Sequence, residues 1–136
     1  MNERTHAIMS VLIVRLGSPR SPGEGIRIGT VRRPPRGVPK AELASQNWYD
    51  VWFPTLAPTA ETLKVGLAAT TPAQWTAFTR KYLAEMATPA ARDALTLLAV
   101  LSHRTDFSVG CYCEHEARCH RSLLRQLLIQ RGAQVD

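Results

Sequence analysis

The chain has 136 residues, 45% hydrophobic and 21% charged, with a formal net charge of +6. That balance excludes a disordered chain, and the length suits one domain (1–136) but not two full cores. The basic excess is almost entirely arginine, because lysine occurs only at Lys40, Lys64 and Lys81. Arginine's planar fork favours bidentate contact with phosphate or carboxylate, so an anionic small molecule or nucleic acid is an expected partner. Arginine-rich, lysine-poor usage also follows from genomic base composition alone.

The apolar run from Ala7 to Val14 is short, ends at Arg15 and lacks a small-residue cleavage site. Neither a signal peptide nor a membrane span is expected, which makes the cytosol the expected compartment. The three cysteines fall within nine residues, a layout suited to thiol or metal chemistry and poor for a disulfide framework.

Residues 6–16 are rich in Ile, Val and Leu with little alternation, the pattern of a strand buried on both faces of a parallel sheet. They are expected to form the first and central strand. A Gly/Ser/Pro-punctuated loop follows at 17–25, whose glycine spacing matches no phosphate-loop pattern. Residues 26–31 alternate as a second strand and deliver Arg32, Arg33 and Arg36 at its C-terminal end, in a loop stiffened by Pro34 and Pro35. Arg33 and Arg36 are candidate anion clamps, against the plainer alternative of a solvated basic loop.

The aromatic segment 48–54 cannot continue as a helix through Pro54 and Pro58 and is expected to plug one face of the sheet. Thr71-Pro72 and Thr88-Pro89 each pair a cap residue with a first-turn proline, so a helix is expected after each. The first carries Trp75, Phe78, Tyr82 and Met86 on one stripe, which is a core face. Phe107, Val109, Cys111 and Cys113 recur at period two, a strand running into the cysteine motif. A last helix begins at about 118–120 with an apolar face of Leu123, Leu124, Leu127 and Leu128, and Arg121 and Arg125 are expected outside that face. The whole order is α/β: a small, mainly parallel sheet flanked by helices, Rossmann-like in three layers.

The chemistry is expected between Cys111 and Arg121. A strand, tight loop and helix present free backbone N–H groups and a positive dipole end to an anion. Cys119 and His120 sit near that end, where a thiol is acidified by the dipole and by Arg118 and Arg121. The enzyme reading makes Cys119 the nucleophile, His120 its general base, and Arg33, Arg36, Arg121 and Cys113 the anion-binding groups. Cysteine phosphatases and sulfurtransferases use such a loop with five residues between nucleophile and arginine, a spacing absent after Cys111 and Cys113. A zinc module through Cys111, Cys113, Cys119 and either His115 or His120 is a further alternative. Its spacing departs from paired Cys-x2-Cys knuckles, and Cys111 is expected to serve the core. A non-catalytic nucleic-acid or nucleotide-binding module is the other alternative, supported by the net charge.

Three blocks in order resemble the family called domain of unknown function 488 (DUF488). They are Arg33-Pro-Pro-Arg36-Gly37 with Lys40 and the aromatic segment, Trp75-Thr-Ala-Phe78 with Tyr82-Leu-Ala-Glu85-Met86, and Cys119-His120-Arg121. The resemblance covers most of the chain and implies an α/β fold with a parallel sheet. Cys113 stands where the family usually has glutamate, so no acid or base role is carried to that position, and Glu114 substitutes only if the strand end shifts by one. Because ligands bind at the C-terminal ends of parallel strands, the Arg33–Arg36 and Cys119–Arg121 segments are expected to converge on one anion site.

Overall fold

In a computed structural model, which describes residues 8–136, four strands form one all-parallel sheet: β1 (Val11–Arg15), β2 (Ile26–Gly29), β3 (Val51–Trp52) and β4 (Phe107–Cys111), in the order β1-β4-β2-β3. With the helices α1 (Ala60–Ala68), α2 (Pro72–Met86), α3 (Pro89–Leu101) and α4 (His120–Gln130), the chain is a small α/β domain of Rossmann-like kind. The last strand in sequence is inserted between the first two, with Phe107 in register with both Val11 and Ile26. Every residue of β4 is buried, as expected of a strand with a neighbour on each side and cover on each face.

The expected central role of the first strand does not hold. β1 lies at an edge, and the part of the expectation falling on His6 and Ala7 lies outside the described residues. Its apolar sequence has another cause, because the C-terminal tail runs along its start. Val11 N–H donates to Gln134 O at 2.9 Å and Asp136 N–H to Val11 O at 3.0 Å, which covers the beginning of an otherwise open edge.

The aromatic segment is also more than a plug. Val51 and Trp52 pair in parallel with Ile28 and Gly29 as the far edge strand, and Trp52 Nε1 donates to Val31 O at 2.8 Å. Gly29 makes this fit possible, since a Cβ there would lie 2.4 Å from the Tyr49 ring.

Both threonine–proline starts become helices. Thr71 and Gln74 form a reciprocal capping box at the start of α2, and α3 begins at Pro89 after Thr88. No element was expected at 60–68, yet Thr59 caps α1 there by accepting from the Thr62 N–H. The core of Val11, Leu56, Phe78, Tyr82, Leu95, Phe107, Val109, Leu124 and Leu128 joins sheet to helices. A second cluster of Leu16, Val31, Tyr49, Cys111 and Cys119 gathers just past the strand ends.

One buried ion pair ties the first loop to the sheet. The Arg27 side chain is fully buried on β2, with Nε donating to Glu24 Oε2 at 2.8 Å and Nη2 to Oε1 at 3.1 Å. Its Nη1 donates to Ser18 O at 2.9 Å and Asn47 O at 2.8 Å. The Ser108 hydroxyl on β4 donates to the same carboxylate. Burial alone would raise the Glu24 carboxyl, but Arg27, Ser108 and the Ser21 N–H together bring it below its ordinary value.

A carboxyl lowered on folding adds stability above its ordinary pKa and loses that contribution as pH falls through the folded value. Glu24→Gln, which leaves the Arg27 charge without its partner, is expected to cost about 3–5 kcal/mol in urea unfolding at neutral pH. The same variant is expected to lose less stability than the parent on acidification.

Candidate functional site

β1, β2 and β4 all point their C-terminal ends at one cavity of about 1000 Å³, the place where parallel sheets leave room for ligands. Arg33 and Arg36 line it from the loop after β2, Cys111, Cys113 and His120 from the β4–α4 turn, and Trp48 from the aromatic segment. Of the two segments that sequence reasoning expected to converge, Arg33 and Arg36 from the first and His120 alone from Cys119–Arg121 border this space.

The arginines divide by what they already hold. Arg32 is committed to backbone, its Nε donating to Pro58 O at 2.9 Å and its Nη2 to Pro54 O and Ala57 O at 3.2 Å each. Arg15 Nε donates to Tyr112 O. Among the described residues, the side chains of Arg33 and Arg36 have no hydrogen-bond or ion-pair partner and are exposed. Their loop is anchored instead through its backbone, because the Tyr112 hydroxyl donates to Arg33 O at 2.7 Å. The cavity thus has two uncommitted guanidinium groups on a loop stiffened by adjacent prolines.

The opposite wall is the turn between β4 and α4. A short 3-10 segment, Glu116–Arg118, folds the chain back so that Cys119 becomes the N-cap of α4, its Sγ accepting from the Arg121 N–H at 3.5 Å. Arg121 was expected outside the apolar face, but it is buried, with 4% of its surface exposed. Its Nη2 donates to Cys113 O at 2.6 Å, which fastens the strand end to the first turn of the helix. Arg121 does not border the cavity and acts on this structure as a brace for the turn.

The position of His120 is fixed from behind. Its Nε2 lies 2.8 Å from Thr30 O, and a carbonyl can only accept, so Nε2 carries the proton. The ring then turns Nδ1 toward Cys119 Sγ, 3.8 Å away. The Tyr82 ring packs against it with centroids 5.4 Å apart.

The three thiols form one cluster. Cys111 Sγ is 3.8 Å from Cys113 Sγ, and one ligand atom each from Cys111, Cys119 and His120 lie within 4.8 Å of one another. Hydrogen bonds from Cys111 and Cys113, with His120 adding to them, hold the Cys119 thiol well below its ordinary range. The Cys113 and Cys119 contacts push Cys111 up. Cys119, at the start of α4, is thus the one thiol of the three that its surroundings acidify, while Cys111 and Cys113 are pushed up. Cys119 is only 2% exposed and does not border the cavity, whereas the half-buried Cys113 does. Cys111 belongs to the second core cluster, as expected, and also reaches the cavity.

His115 and Glu114 point away from the cluster, their side chains 76% and 71% exposed. Sequence reasoning did not find Thr30, Tyr112 or Trp48. The first acts through its backbone carbonyl, which no side-chain pattern reveals.

A family model described as the active DUF488-N3 subclade matches residues 11–132. No curated protein and no solved structure matches the chain. No helix among the described residues is long and apolar enough to cross a membrane.

Removing the Arg121 brace leaves the Cys113 carbonyl without its charged donor. Arg121→Met is expected to lower stability by about 1.5–3 kcal/mol, the usual value of a hydrogen bond to a charged group, measured by urea unfolding.

Proposed function

We propose that this chain, which belongs to the DUF488 family, binds a small phosphate- or carboxylate-bearing ligand in the cavity at the strand ends, held by Arg33 and Arg36. The observation that carries this reading is the pairing of two uncommitted guanidinium groups with the thiol and imidazole wall across one cavity. An anion there exchanges water for charge-assisted bonds from planar donors whose loop is already ordered. The net charge of +6 favours the approach of such a ligand.

A catalytic form of this reading assigns Cys119 as nucleophile and His120 as its base. Its support is His120 Nδ1 facing Cys119 Sγ at 3.8 Å, and it requires the ligand to reach a sulfur that does not border the cavity.

Calorimetric titration with inorganic phosphate and pyrophosphate tests the binding claim. Each charged contact contributes about 1.5–3 kcal/mol, so Arg33→Ala and Arg36→Ala are each expected to weaken binding by roughly 10- to 100-fold. Equal affinity in the parent and the double variant would end the assignment. Tight DNA or RNA binding with a steep salt slope that survives both substitutions would favour the nucleic-acid alternative.

A further inference from the structure

We propose that Cys111, Cys113, Cys119 and His120 Nδ1 form a zinc site, a closed clasp that fastens the end of β4 to the start of α4. The argument is geometric and stands apart from the anion reading. With Zn–S bonds of about 2.3 Å, two sulfurs of a tetrahedral site lie about 3.8 Å apart, and Cys111 and Cys113 are separated by 3.8 Å. With a Zn–N bond of about 2.0–2.1 Å, a sulfur and an imidazole nitrogen lie about 3.6 Å apart, against 3.8 Å for Cys119 Sγ and His120 Nδ1. Two edges of a tetrahedron are therefore in place in the folded chain, and one ligand atom each from Cys111, Cys119 and His120 lie within 4.8 Å of one another, with Cys113 joined to that trio through Cys111.

The surroundings match as well. A histidine that ligates a metal through one nitrogen usually donates the other N–H to a carbonyl or carboxylate, which fixes both tautomer and ring plane. His120 does this through Nε2 to Thr30 O at 2.8 Å. The ring is further held by Tyr82, and the Cys113 end of the turn by Arg121. The soft donor set of three sulfurs and one nitrogen selects zinc over magnesium or calcium. The sequence spacing, unlike a zinc knuckle, is bridged by the 3-10 turn that carries the chain from Cys113 back to Cys119.

On binding, each thiol still protonated releases its proton to solvent as its sulfur takes the metal, with no redox change at zinc. Cys119 then serves as a ligand and not as a nucleophile. The site's remaining charge of −1, from one dication and three thiolates, leaves the attraction of anions to Arg33 and Arg36.

The test uses the whole chain purified without chelator under a non-thiol reductant. Elemental analysis is expected to give one zinc per chain, and zinc is expected to protect all three thiols from alkylation. Cobalt(II) substitution is expected to give the intense visible bands of a tetrahedral site and a thiolate charge-transfer band. In Cys113→Ser that band should lose one thiolate's share. Cys111→Ser or His120→Asn is expected to weaken zinc by more than the roughly 10- to 100-fold typical of losing an outer-shell partner. Where those variants do not fold, the parent measurements decide the matter. A folded, reduced parent that takes up no stoichiometric zinc or cobalt, and whose thiols alkylate equally with and without metal, overturns the proposal. Because no anion is present, this result is independent of the phosphate titration.

Discussion

The guanidinium of Arg27, which has no access to water, is the constraint on which the half of the molecule carrying the site depends. A charge in that position is tolerated only if its donors are satisfied and its counter-charge is close. Meeting that demand fixes Glu24 in the loop after β1, the carbonyls of Ser18 and Asn47, and, through the same carboxylate, Ser108 on β4. The Arg27 backbone extends the tie, its N–H donating to Asp50 Oδ2 at 2.7 Å and its carbonyl accepting from the Asp50 N–H at 2.8 Å. Two loops and two strands are thereby set around one buried cation.

The consequence lies at the strand ends. With the loop after β1 and the aromatic segment both held by Arg27, Trp48 and the Gly17–Ser18 turn stand as fixed walls of the cavity. The arginine loop is anchored separately by Tyr112 and by Arg32, and the thiol turn by Arg121 and Thr30. The groups that face the ligand space are thus supported from behind by others that do not, which limits the ordering that a ligand must cause. Two of the five arginines in this region face the cavity with uncommitted side chains, while Arg15, Arg32 and Arg121 hold backbone carbonyls.

Much of this was legible in the sequence where local chemistry decides. Thr71-Pro72 and Thr88-Pro89 announced their helices, the period-two run from Phe107 announced β4, and position in an α/β order implied that Arg33 and Arg36 would meet the Cys119–Arg121 segment, which His120 alone does. What was not legible depends on tertiary partners. Apolar residues 11–14 read as a central strand, but their cover is the chain's own C-terminal tail. Val51–Trp52 is too short for any periodicity and becomes a strand only because Ile28 and Gly29 offer an open edge. Arg121 read as an anion clamp outside the apolar face because its charge was visible and its acceptor, a backbone carbonyl, was not. The choice between His115 and His120 as partner of the cysteines likewise rests on the turn at Glu116–Arg118, which places only His120 in the cluster.

The central claim is that the arginine loop and the cysteine turn serve one ligand space, and titration of inorganic phosphate into the isotope-labelled chain, followed by backbone amide NMR, addresses it most directly. Shifts are expected in residues 30–37 and 111–121 together, saturating at a single concentration. Shifts confined to one segment, two separate saturation curves, or changes scattered over the basic surface would contradict it.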